Sequence, residues 1–167
     1  HKKLKKFSLS TLGLFLKFFM WILNKIYGVE EKKVVFISFG GKSYSDNPRA
    51  ISEKLYEMRS DFAIVWIFNN PEEKRKIVPD YVKCVKNNTY SAFKELATAK
   101  FWVDNFGKAV YTYKSKAQIY IQTWHGDRGF KKILYDSHKV SPNAYYIEQD
   151  ICDLMLSGSD YYDQVIR

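Results

Sequence analysis

From Lys33 onward the chain alternates short, wholly apolar runs with stretches of helical spacing, and this restricts it to a mostly parallel sheet covered on both faces. Residues 34–39 (VVFISF) read as a buried strand stopped by Gly40-Gly41, and 62–68 (FAIVWIF) as a second. Residues 81–86, 101–103, 118–124 and 154–156 are the further strand candidates. Helical patterns fall between them over 48–59, 71–76, 89–99 and 129–135, and another begins at 159. Asn47 is the predicted N-cap of the first of these helices, with Pro48 at its first position. The predicted fold class is α/β: a Rossmann-like three-layer domain over 31–167, preceded by a separate helix over 1–30. With 167 residues there is room for one such core. The chain stops inside a helical pattern, so further protein is expected beyond it.

The first 27 residues are basic and apolar together. No small-residue cleavage site follows them, as a signal peptide requires. Lys17 interrupts an apolar run already shorter than the ~20 residues needed to span a bilayer. On a helical wheel Lys3, Lys6, Ser10, Gly13, Lys17 and Asn24 fall on one side. Leu4, Phe15, Phe18, Phe19, Ile22 and Ile26 fall on the other, with Met20 and Trp21 near the boundary. Such a helix suits the headgroup region of an anionic bilayer, through Lys3, Lys6, Phe15, Lys17, Phe18, Phe19, Trp21 and Ile22. The alternative is a helix that packs its apolar face on its own domain.

The formal charge of +9 points to anionic partners, unless it is merely a basic surface. Nucleic acid is not expected, because no binding motif is present and the cations are dispersed or lie beside the apolar helix. Cys84 and Cys152 sit in apolar surroundings at no metal-ligand spacing, so two reduced, buried thiols and no bound metal are expected.

Two loops leave strands for helices, where open α/β sheets place their ligands. The first, SFGGKSYSDNP, offers Gly40 and Gly41 for close backbone approach, with Lys42, Ser43 and a helix amino terminus for an anion. It fits neither a dinucleotide fingerprint nor a Walker loop, and it reads either as a phosphate cradle or as a plain turn. The second, QTWHGDRGFKK, puts His125 at the carboxyl end of a strand, where a group titrating near neutrality can move a proton. Asp127 can orient that ring or cap the next helix, and Arg128, Lys131 and Lys132 add three cations suited to phosphate. A structural histidine beside a solvated lysine face is the competing reading.

QTWHGDRGFKKI resembles the signature of the CDP-glycerol glycerophosphotransferase family, the teichoic-acid primases and polymerases with their ribitol and capsule relatives. The usual form there is close to Q-x-W-H-G-T-x-x-K-K. SFGGKSYSDNPRAI resembles the family's first glycine loop, and YYIEQDICDLMLSGSDYYDQVIR the end of its first domain. Asp127 and Arg128 depart from the common pattern, which leaves the polyol open.

The resemblance implies the amino-terminal half of a GT-B fold. That domain holds a lipid-linked polyol-phosphate acceptor at the cytoplasmic face of the bacterial plasma membrane, as a peripheral protein. A second domain, absent from this chain, would bind CDP-glycerol or CDP-ribitol as donor substrate, with no further cofactor, so this chain alone should be inactive or nearly so. His125 matches the family's catalytic histidine, a general base. The substrate-contacting set is Gly40, Gly41, Lys42, Ser43, Asn47, Gly126, Asp127, Arg128, Lys131 and Lys132. The alternative function is a membrane-binding scaffold that performs no chemistry.

Overall fold

The computed structural model of the chain describes residues 2–126 and 150–157, with side chains from residue 11 onward. Its elements are α1 (Lys2–Tyr27), β1 (Glu30–Ile37), α2 (Asp46–Met58), β2 (Ala63–Phe68), α3 (Pro71–Lys74), β3 (Lys83–Lys86), α4 (Tyr90–Thr98), β4 (Ala99–Asp104), β5 (Ile119–Gln122) and β6 (Leu154–Met155). The strands form one sheet in the order β3-β2-β1-β4-β5-β6, with every neighbouring pair parallel. The helical patterns at 129–135 and 159–167 lie outside the described residues.

Alternate residues of each strand feed opposite faces. Val34, Phe36, Ile64, Trp66, Phe68 and Val103 pack under Ile51 and Leu55 of α2. Trp66 is the centre of that face. It stacks between Phe36 (5.6 Å) and Phe68 (5.5 Å), and its indole N–H donates to Ser52 at 3.0 Å. Burying each such ring is worth roughly 1.5–3 kcal/mol. On the other face Val35, Val65, Ile67, Trp102 and Tyr120 pack with Ala92 and Leu96 of α4 and Met20 of α1.

Several boundaries differ from the sequence reading, each for a local reason. β1 begins at Glu30 because Lys33 turns inward, 2.9 Å from Glu95 and 2.5 Å from Glu30, so a charged stretch extends the strand. Burial raises the Glu95 carboxyl, but hydrogen bonds from Lys83 and Lys33 outweigh it and hold the group below its ordinary value. β1 ends at Ile37 because Phe39 adopts φ 47°, which no strand accommodates. α2 starts at Asp46 rather than Pro48, with Ser45 in the capping position, and the Asn47 side chain donates instead to the Thr123 carbonyl at 3.3 Å. Asn47 is therefore a tie between two loops, not a cap. Cys84 is buried and Cys152 half-buried, and among the described residues neither forms a disulfide.

The orientation of α1 also differs. The side carrying Gly13 and Asn24, opposite the apolar face of the wheel, is the docked side. Asn24 is buried and donates to the Ala97 carbonyl at 2.7 Å, while Met20 and Leu23 are buried beside it. The Lys94 ammonium sits 4.1 Å from the Tyr27 ring centre, and Phe19 meets Tyr90 at 6.2 Å. Leu14 (70% exposed), Phe15 (64%), Phe18 (56%) and Trp21 (38%) are left outward, so the helix does not pack those side chains on its own domain. Phe19, Ile22 and Lys17 are half-buried on the flanks. The side chains of Lys3 and Lys6 lie outside the described residues. Among the described residues no helix is long and apolar enough to cross a membrane.

Candidate functional site

All strands run the same way, so their carboxyl ends share one edge of the sheet. The strand order reverses at β1, which lies between β2 and β4, so the loops leaving β1 and β4 diverge and open a crevice. Both sequence-selected loops reach this crevice, and a third segment, residues 104–108 after β4, forms its floor.

The glycine loop turns through three successive positive φ values, at Phe39 (47°), Gly40 (66°) and Gly41 (86°). The turn closes with the Gly41 amide donating to the Ser38 carbonyl at 2.9 Å. Asn69, just after β2, holds it down. Its backbone amide donates to the Gly41 carbonyl at 2.8 Å and its side-chain amide to the Gly40 carbonyl at 3.1 Å. Gly41 is required twice over, since a Cβ there would meet Asn69 Oδ1 at 3.1 Å in addition to the unfavourable φ. Lys42 is exposed, and the Ser43 and Ser45 hydroxyls bond each other at 2.8 Å.

The second loop is fixed to the floor. The Thr123 amide donates to the Asp104 carbonyl at 2.8 Å, and the Trp124 amide to Gln122 Oε1 at 3.0 Å, with Trp124 at φ 56°. This lifts His125 out of the sheet edge. Its Nδ1 lies 2.6 Å from the backbone carbonyl oxygen of Asn105. A carbonyl only accepts, so Nδ1 carries the proton and Nε2 is left with its lone pair. Three aromatic rings surround the imidazole: Trp124 stacks at 4.7 Å, Phe39 meets it edge-on at 5.6 Å, and Phe106 lies at 6.5 Å. Phe39 belongs to the glycine loop, so the two loops meet at this ring. Gly126 is exposed beside it; Asp127, Arg128, Lys131 and Lys132 lie outside the described residues.

Beneath the histidine, Asp104 and Lys108 form an ion pair whose side chains are 3% and 6% exposed. Asp104 also accepts the Phe106 amide at 2.8 Å. Burial pushes the Asp104 carboxyl above its ordinary value, against the pull of the Lys108 ammonium and the amides of Phe106 and Asn105. The cavity lined by Glu30, Lys33, Tyr81, Lys83, Lys94 and Glu95 opens at the amino ends of the strands, away from this crevice, and Lys33 and Lys83 both pair with Glu95 in its wall.

Sequence reasoning selected His125 and the glycines but passed over Phe39, Asp46, Asp104, Asn105, Phe106 and Lys108. The available signal was modest: Asp104-Asn105-Phe106-Gly107 follows a strand and has turn composition, which at this edge of an α/β sheet marks a site loop.

Residues 17–167 match the model of the family described as CDP-Glycerol:Poly(glycerophosphate) glycerophosphotransferase. The chain is 33% identical over 160 residues to the teichoic acid poly(glycerol phosphate) polymerase of Bacillus spizizenii, covering 87% of this chain and 40% of that protein. It is 37% identical over 105 residues to the polymerase of the same description from Staphylococcus epidermidis, covering 63% of this chain and 14% of that protein. The teichoic acid glycerol-phosphate transferase of Staphylococcus aureus is 36% identical over 107 residues, covering 64% and 27% respectively. The solved structure of the wall teichoic acid polymerase TagF superposes with a TM-score of 0.74 at 27% identity, over 99% of this chain and 42% of that one. This chain therefore spans less than half the length of these relatives. The parallel six-stranded sheet, the TagF likeness and a family match over nearly the whole sequence agree: the chain belongs to the CDP-glycerol:poly(glycerophosphate) glycerophosphotransferase family.

Proposed function

We propose that this chain is the acceptor-binding, base-carrying half of a transferase that moves glycerol-phosphate, or ribitol-phosphate, from a CDP-linked donor onto a membrane-bound teichoic-acid or capsule polymer. The observation that carries this reading is His125, ringed by aromatics at the mouth of the crevice, with Nδ1–H committed to the Asn105 carbonyl and Nε2 free. Nε2 takes the proton from the acceptor's terminal hydroxyl as that oxygen bonds to the donor's β-phosphorus. The bond from that phosphorus to the bridging oxygen breaks, and CMP leaves with the electron pair. The Asn105 carbonyl, already facing Nδ1–H, steadies the imidazolium so formed. Lys42 and Ser43 of the glycine loop, with Arg128, Lys131 and Lys132, supply cations and hydroxyls for the phosphates of acceptor and transferred group. The donor itself is assigned to a second domain, outside the residues of this sequence.

Calorimetric titration in detergent tests the division of labour. A soluble oligo(glycerol phosphate) is expected to bind the chain and CDP-glycerol is not. Binding of CDP-glycerol alone would contradict the assignment of the acceptor to this domain.

The outward aromatic face of α1 supports peripheral attachment to an anionic bilayer on the cytoplasmic side. Leu14, Phe15, Phe18 and Trp21 are uncovered, with the Phe18 and Trp21 rings stacked at 5.4 Å. The chain is expected to co-sediment with phosphatidylglycerol vesicles and to bind phosphatidylcholine vesicles far less. Phe15→Ser with Phe18→Ser should cut binding by about tenfold or more, given roughly 1.5–3 kcal/mol per buried aromatic side chain. Equal binding by the double variant would exclude this face as the contact.

A further inference from the structure

Asn105 carries no sequence motif, yet it is fully buried and joins the two loops of the site. Its Oδ1 accepts the Phe39 amide at 2.7 Å. Its Nδ2 donates to Asp46 Oδ2 at 2.6 Å and lies 3.4 Å from the Ser38 hydroxyl. Its own backbone carbonyl receives His125 Nδ1–H at 2.6 Å. Phe39 and Asp46, which it grips at the two ends of the glycine loop, both have positive φ, at 47° and 63°. That backbone region is disfavoured for residues bearing a Cβ, and the bonds from Asn105 hold both residues in it.

We infer that Asn105 is a positioning residue for transfer. By tying Phe39 and Asp46 to the turn whose carbonyl receives Nδ1–H, it keeps His125 in the tautomer that leaves Nε2 free for the acceptor hydroxyl. The shape of the glycine loop and the orientation of the base are thereby one unit. A neutral histidine free in water prefers its proton on Nε2, so the opposite tautomer must be imposed by a fixed acceptor at Nδ1. A backbone carbonyl is such an acceptor only if its peptide plane cannot turn; the Phe106 amide of that plane donates to Asp104, and the Asn105 side chain anchors the residue before it to Phe39 and Asp46. The inference rests on His125 being the base, as proposed above.

The test reads the ring nitrogens directly, by long-range 1H–15N correlation of the histidine-labelled chain at a pH where the imidazole is neutral. The His125 signals are assigned by their loss in His125→Ala. The wild-type ring is expected to carry its proton on Nδ1. Asn105→Ala and Asp46→Ala should shift it toward Nε2–H. Asp46→Asn, which retains an acceptor for Asn105 Nδ2 and tolerates the left-handed backbone, should stay as wild type. Asp46 is exposed, so its variants keep the test available if Asn105→Ala does not fold. In the complete transferase, Asp46→Ala should lower kcat by about 10- to 100-fold with KM little changed, the signature of a displaced base. A purely structural role would lower the melting temperature and leave the ring proton where it was. Unmoved tautomers in both alanine variants, or a wild-type ring protonated on Nε2, would overturn the inference. Full transfer by His125→Ala would instead overturn the base role beneath it, whatever the tautomers do.

Discussion

Truncating Asp104 to alanine is expected to destabilise the chain by about 3–5 kcal/mol, because it strands the buried Lys108 ammonium without its counter-charge. Both side chains are nearly inaccessible, and the ammonium also lies 5.3 Å from the centre of the Tyr120 ring. The same carboxylate accepts the Phe106 amide, so the turn beneath His125 loosens as well. Against a typical total of roughly 5–15 kcal/mol, such a loss is a large fraction of the domain's stability. Thermal unfolding followed by circular dichroism should show the midpoint falling by about 10 °C or more for a chain of this size. The pair itself is not a net source of stability: burial raises the Asp104 carboxyl despite Lys108, so ionising it inside the domain is costly. The double variant Asp104→Asn with Lys108→Met should therefore recover most of the loss. A midpoint unchanged in Asp104→Ala would show that Lys108 reaches water.

Much of this fold is legible in the sequence because the strands are buried on both faces and read as unbroken apolar runs. The run FAIVWIF announces β2 without help from its neighbours. Strand order is not legible in that way, since the side chains of β1 look alike whether β2 or β4 lies beside them. The charged residues of Glu30 to Lys33 do not announce a strand, because the partner that draws Lys33 inward, Glu95, lies on a helix 62 positions further along. The wheel of α1 separates two faces. It cannot say which one is covered, because the bond from Asn24 to the Ala97 carbonyl that decides the matter is tertiary.

The site divides in the same manner. His125, Gly40 and Gly41 stand out because tryptophan-histidine-glycine and paired glycines at strand ends are uncommon patterns. Asn105 does not, because an asparagine after a strand is ordinary until its four partners are known. Asn47 departs from its predicted capping role for a related reason. Preceding a proline it has the look of a cap, but Asp46 already starts the helix and the Asn47 side chain is drawn to Thr123.

Replacing His125 should have the largest effect on turnover. General-base catalysis contributes about 10²- to 10⁴-fold, and no other group on the described part of this edge is placed with a free basic nitrogen beside the glycine loop. The residue is exposed and its ring partners are themselves anchored, so its removal should leave the fold intact. This sets it apart from Asp104, whose loss acts through stability. The scaffold alternative makes the opposite forecast, since a membrane-binding module has no use for Nε2.

The decisive measurement is single-turnover CMP release by the complete transferase carrying His125→Ala, with CDP-glycerol and a lipid-linked acceptor, in the presence and absence of added imidazole. The account predicts a rate lower by about 10²- to 10⁴-fold, acceptor binding retained, and partial recovery as imidazole supplies the missing base. A variant that releases CMP at the wild-type rate would contradict it.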